Sequence, residues 1–180
     1  MSTVVKVSAM AVLLAAFGAS AADQGQGVVN FKGTVVDTPC GIAADSADQS
    51  IDFGQISKST LAAGNPSDSK TLEIKLTKCD ASTLTKGVSV TFTGNTISGD
   101  DGQGAAQPVE NELATSGPTN TAVIINQGGN DIKFGTPTSY VPLSDGSNTL
   151  QYMTWVKQAT GKTVAAGDFT AVANFSLNYQ

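Results

Sequence analysis

The sequence predicts an all-β domain of sandwich type, and three observations carry that prediction. Apolar and polar residues alternate with a period of two in about seven short runs, Gly-, Asn- and Asp-rich turns separate those runs, and no long stretch of helical periodicity interrupts them. Composition agrees: the chain has 19 Gly and abundant Thr, Ser, Asn and Val, a mixture that suits strands and turns. Greek-key connections between two sheets are the expected topology.

The first twenty-one residues stand apart. Lys6 precedes an apolar run over 7–17 and the small-residue site Ala19-Ser20-Ala21. That run is shorter than the roughly 20 residues a membrane-spanning helix needs, so 1–21 reads as a secretory signal cleaved before Ala22. The chain from 22 onward is long enough for one domain with its own core.

Residues 28–36 read as the first strand, closing at Asp37-Thr38-Pro39-Cys40. A short run over 50–56 puts Ile51 and Phe53 on one side. Over 70–77, Leu72, Ile74 and Leu76 face one way, and Thr71, Glu73, Lys75 and Thr77 the other. Residues 88–93 repeat the pattern with Val88, Val90 and Phe92. The stretch 94–118, dominated by Gly, Asp, Asn, Gln and Ser, reads as an exposed loop. Its Asp100-Asp101-Gly102 lacks the ligand spacing and closing Glu of a calcium loop and reads as a solvated turn. Further strands are expected at 121–127, around Ile132 and Phe134, and at 150–156 with Trp155. The turn signals between them are Gln127-Gly128-Gly129-Asn130 and Ser144-Asp145-Gly146-Ser147.

The last run is the most regular. Phe169, Ala171, Ala173, Phe175, Leu177 and Tyr179 share one face and alternate with Thr170, Val172, Asn174, Ser176, Asn178 and Gln180. On pattern alone this is either an ordinary strand paired on both sides or a strand with one uncovered edge. At the other end, residues 22–31 place Gly25, Gly27, Val29 and Phe31 on one face of an extended segment that otherwise reads as a tail.

Charge and chemistry narrow the function classes. Net charge is −5 with no basic cluster, which argues against a nucleic-acid partner. The chain has no His, no Gly-x-Ser-x-Gly elbow, no phosphate loop and no metal-ligand cluster, so neither an enzyme nor a cofactor site is expected. Its two cysteines, Cys40 and Cys79, are expected to pair in an oxidising compartment. Closing that loop is worth about 4 kcal/mol in the chain-entropy account.

Several segments together resemble a known family. Gln24-Gly25-Gln26-Gly27, the stretch from Phe31-Lys32-Gly33-Thr34-Val35-Val36 through Asp37-Thr38-Pro39-Cys40, and Ser46-Ala47-Asp48-Gln49-Ser50-Ile51-Asp52-Phe53-Gly54-Gln55 are similar to the major rod subunits of chaperone-usher pili, the P-pilus type in particular. Near the other end, Gly167, the run Ala171-Val172-Ala173-Asn174-Phe175 and Tyr179 match the family's terminal signature.

The resemblance implies an incomplete immunoglobulin-like β-sandwich, the pilin fold, that lacks one strand and is completed by a donated one. It divides the chain into a signal peptide at 1–21, a donor-strand extension at 22–32 and a pilin domain at 33–180. Gly25, Gly27, Val29 and Phe31 are then the donor face. Gly167, Phe169, Ala171, Ala173, Phe175, Leu177 and Tyr179 form the acceptor groove and the surface recognised by a chaperone. The implied partners are identical subunits in a helical filament, a periplasmic pilus chaperone, an outer-membrane usher and other pilus subunits. The implied destination is the cell-surface fimbrium, reached through the periplasm, with a role in cell adhesion. With Asp23, Gly25 and Gly27 in its alternation, the donor face offers few bulky anchors, which leaves its register open. The competing reading is a fimbrial adhesin or carbohydrate-binding sandwich module.

Overall fold

The alternation at 70–77 is realised in the computed structural model as part of a long strand in which Leu72, Ile74 and Leu76 are buried. The structure describes residues 27–100 and 106–180; the expected signal segment, Gly25 and the Asp101-Gly102 pair lie outside the described residues. In chain order the elements are β1 (Gly41–Ile42), α1 (Ala44–Ala47), α2 (Lys58–Ala62), β2 (Lys70–Cys79), β3 (Val88–Thr93), β4 (Thr96–Asp100), β5 (Ala106–Ala114), β6 (Thr121–Gln127), β7 (Asn130–Asp131), β8 (Gly146–Gln158) and β9 (Asn174–Tyr179). The chain divides after Val35 into two units.

In the first unit, residues 27–35 carry no regular secondary structure and are exposed. The strand expected at 28–36 is therefore not formed. Alternation specifies which face of a strand would be apolar, but a strand exists only where its backbone groups find a partner.

In the second unit, Val36–Gln180, the larger sheet runs β1-β2-β8-β6-β5-β4, with β7 paired to β6. Strand β8 sits between β2, in register Leu72↔Tyr152 and Ile74↔Leu150, and β6, in register Val123↔Val156 and Ile125↔Thr154. The smaller sheet pairs β3 with β9. The inner faces meet in one core: Leu72, Ile74, Leu76, Leu113, Val123, Ile125, Leu150, Tyr152 and Val156 from the larger sheet, and Val88, Val90 and Phe92 from the smaller. Phe92 meets the Tyr152 ring edge-on at 5.1 Å, the arrangement that ring quadrupoles favour.

The Cys40–Cys79 disulfide forms, joining the segment before β1 to the end of β2. The Gly128-Gly129 turn links β6 to β7, both residues at positive φ (58° and 90°), as a two-residue hairpin with the twist of its flanking strands demands.

Four further expectations need correction. The strand expected around Ile132 and Phe134 stops at Asp131, although both side chains are buried in the core. The described parts of 94–118 are not a loop throughout: β4 and β5 pair antiparallel, with Ile97 opposite Val109 and Ser98 opposite Pro108. Backbone pairing at the sheet edge overrides the polar, Gly-rich composition that hid these strands. No strand covers 50–56, although Ile51, Phe53 and Ile56 do pack against the core. There the Asp52 carboxylate accepts the Gly54 N–H at 2.7 Å and Gly54 adopts φ 65°, closing a tight turn that interrupts the extended chain. Finally, the last strand begins at Asn174 rather than at Phe169. The helices α1 and α2 have 4 and 5 residues, too short to leave a periodic signature.

Candidate functional site

The hydrogen-bond phase of β9 defines the site. Gln180 and Gly87 exchange both backbone bonds, at 3.0 and 2.9 Å. In an antiparallel ladder such pairs alternate with pairs whose backbone groups point away from each other. With Val88 opposite Tyr179, Val90 opposite Leu177 and Phe92 opposite Phe175, these three pairs are the non-bonded kind. The partner strand bears this out: the Val88 N–H donates to the Val141 carbonyl at 2.9 Å, and the Val90 N–H to the Thr138 hydroxyl at 3.0 Å, both on the side of β3 away from β9.

The backbone N–H and C=O groups of Phe175, Leu177 and Tyr179 therefore point to the outer edge of β9, where no backbone partner meets them among the described residues. The side chains of the same three residues turn into the sandwich and are only half-buried. Asn174, Ser176 and Asn178, between them, are exposed. An edge with free ladder positions and incompletely covered apolar side chains is a template for another strand.

The chain approaches this edge along 160–173. Phe169 and Ala173 are half-buried against the core, whereas Ala171 is exposed and outside the strand. The Phe169 ring lies 6.4 Å from that of Phe53. These two rings belong to a cleft of about 720 Å³ lined by 51–56 on one side and 164–169 on the other, with Leu61 also in its lining. Gly167, at φ 148°, borders the same cleft; a methyl group there would lie 2.5 Å from the Pro118 ring, so the close approach excludes any side chain.

Gly27, Val29 and Phe31 lie in the first unit and are exposed, Val29 at 72% and Phe31 at 90%. Val28, on the opposite face, is equally uncovered at 87%, so the alternation and not the exposure singles out Val29 and Phe31.

Burial raises the pKa of the Tyr179 phenol, and the Tyr152 phenol is pushed up to about 12 by the same cause. Neither phenol changes charge near neutral pH, so the groove presents uncharged apolar chemistry.

One residue that pattern reading passed over is Glu112. It is 1% exposed, yet its carboxylate accepts the Lys157 ammonium at 2.7 Å, the Thr160 hydroxyl at 2.6 Å and the Thr160 backbone N–H at 2.9 Å. Burial raises its pKa, but the hydrogen bonds from Lys157 and Thr160 outweigh that effect and leave it below the ordinary value. An acidic residue in a polar stretch carries no sequence signal for burial, because its partners lie 45 and 48 residues away.

Comparison with known proteins places this edge in context. A family model described as fimbrial protein matches residues 29–180. The PRS fimbrial major pilin protein of Escherichia coli is 46% identical over 172 residues, covering 91% of this chain and 100% of the relative. The crystal structure of the P pilus rod subunit PapA superposes with a TM-score of 0.70 at 40% identity, over 79% of this chain and 100% of that one. A subunit in the structure of a chaperone-usher pilus superposes at 0.77 with 42% identity, over 87% and 97% of the two chains. On the extent of these matches, the chain belongs to the fimbrial protein family and has the pilin fold.

Proposed function

We propose that the chain is the major structural subunit of a chaperone-usher pilus and that the outer edge of β9 receives the N-terminal segment of a second copy. In this reading 22–32 is the donor extension and 33–180 the domain that accepts it. The observation that carries the proposal is the coincidence, at Phe175, Leu177 and Tyr179, of outward-facing backbone groups with half-covered apolar side chains. Main-chain bonds to an added strand supply affinity, and alternate side chains entering the groove supply specificity.

The gains from strand addition are comparable with its costs. Burying Val29 and Phe31 contributes roughly 1.5–3 kcal/mol each. Each ladder hydrogen bond adds about 0.5–1.5 kcal/mol net. Together these offset much of the cost of ordering the tail. Until a neighbour arrives, the uncovered edge is an aggregation hazard, which is the physical reason for a periplasmic chaperone that lends a strand and for an outer-membrane usher where lender and neighbour exchange. Because each copy donates at one place and accepts at another, the contact does not close on itself, and the product is an open helical filament at the cell surface. No chemical step is required of the chain, and its role is structural.

Deleting residues 22–30 from the secreted protein tests the assignment. The expected product is a subunit that still forms a periplasmic chaperone complex but adds no further copies in a fibre. Fibres of normal length from the deletion would refute it.

A further inference from the structure

Among the described residues Glu112 is the only charged side chain that is buried. It sits in a bulge of β5: Thr96 opposes Leu113 and Ile97 opposes Val109, so residues 110–112 stand against a single step of β4. A buried carboxylate is expensive even when paired, and apolar replacements of buried ion pairs are often neutral or stabilising. Fold stability alone therefore gives weak grounds for a carboxylate here, and its contacts indicate another role. Two of the three hydrogen bonds go to one residue, Thr160, near the start of the segment running from β8 to β9.

That segment contains no strand, yet it is fixed along its length against residues 116–120. The Asn120 side-chain amide donates to the Thr163 carbonyl at 2.8 Å, the Ala165 N–H to the Thr119 carbonyl at 3.0 Å, and Ser116 and Thr170 exchange backbone bonds at 2.7 and 3.2 Å. Ala159, the first residue after β8, donates its N–H to the Asn120 carbonyl at 3.1 Å; Glu112 holds the next residue, Thr160, and residues 164–169 beyond it form one wall of the cleft.

We infer that Glu112 is a positioning residue of the acceptor site: by holding both the N–H and the hydroxyl of Thr160, it sets the wall at 164–169 before a donor strand arrives. This rests on the donor-strand reading above. A wall already in place spares the incoming segment the cost of ordering it, so the clamp speeds capture rather than adding a contact to the donor. The role passes through Thr160 and not through Lys157, whose ammonium touches the same carboxylate but lies on β8, already ordered by pairing on both sides.

The test uses the full chain and a fluorescent peptide with the sequence of residues 22–36, following its capture rate and the melting temperature in parallel. Glu112→Ala is expected to slow capture about tenfold, the equivalent of one lost net hydrogen-bonding clamp. Glu112→Gln, whose amide can still accept from the Thr160 N–H and donate to its hydroxyl, is expected to restore the rate to within about twofold. Ile74→Val, a core change remote from Thr160, lowers the melting temperature and is expected to leave capture unchanged. Should Glu112→Ala fail to fold, Thr160→Val removes one clamp bond at an exposed position and keeps the Lys157 pair; slower capture at an unchanged melting temperature is the expected result. Wild-type capture rates in Glu112→Ala or Thr160→Val, or equal slowing in Ile74→Val, would overturn the inference alone. A wild-type chain that captures no peptide would overturn it together with the donor-strand reading.

Discussion

Phe92 of β3 stands directly opposite Phe175 of β9, their ring centroids 6.3 Å apart, and the pair forms the seam between the smaller sheet and the core. Phe92 is 2% exposed, but Phe175 is only half-covered, because nothing among the described residues pairs with the outer edge of its strand. The seam is closed on one side and open on the other.

A charge at that seam should abolish strand capture. Phe175→Asp places a carboxylate against Phe92 in a groove without compensating charge, at a cost of several kcal/mol for an unpaired buried ion. Co-purification with the pilus chaperone from the periplasm should fall to background, while Ser176→Asp, on the exposed face, should leave it intact. Equal yields from both variants would count against a groove at β9.

The contrast between these neighbours also shows what pattern reading can and cannot reach. The strands at 70–77 and 150–156 were legible because each buries alternate side chains, so the period-2 signal survives in the residues themselves, whereas 88–93 and 121–127 were legible from their apolar, β-branched content, 121–126 being buried on both faces. β4 and β5 were not, because an edge pair of strands is held by backbone pairing that polar residues such as Ser98 and Gln107 provide as well as apolar ones. At 50–56 the side shared by Ile51 and Phe53 does meet the core, but the turn at Asp52 and Gly54 depends on a side-chain to backbone bond that alternation does not encode. The apolar face of the last run was visible, whereas the direction of its free backbone groups depends on the phase set by Gly87 and Gln180. Burial of Glu112 was invisible for a similar reason, its partners being distant in the chain.

Glu112 should make the fold acid-sensitive. Its folded-state pKa lies below the ordinary value, so its contribution to stability is fully present above that value, about 4.5, and is lost as pH falls through the lower folded one. Melting temperature should drop on acidification below about pH 4.5, and Glu112→Gln should flatten the drop. Asp45, lowered by its hydrogen bond from Lys75, and Asp80, lowered by the Ser82 hydroxyl, are exposed and should contribute little to the slope. A variant with an undiminished acid slope would assign the sensitivity elsewhere.

Removing the Cys40–Cys79 bridge should destabilise the domain and leave the increment from donor binding in place. The cross-link ties the segment before β1 to the end of β2, and its loss costs about 2–4 kcal/mol in a domain of this kind. Denaturant midpoints of the paired Cys40→Ser and Cys79→Ser variant should fall accordingly. Donor binding adds stability by mass action to bridged and unbridged chains alike, so the peptide of residues 22–36 should raise both midpoints by a similar amount. Midpoints that the peptide raises in neither chain would argue that strand donation adds nothing to this fold.

Amide hydrogen exchange at Phe175, Leu177 and Tyr179 reads the free edge itself. In the lone chain these three amides should exchange far faster than those of Asn174, Ser176 and Asn178, whose positions pair with β3, and adding the 22–36 peptide should protect all three together. Protection already complete in the lone chain, or exchange at the three amides that the bound peptide leaves unchanged, would contradict the account.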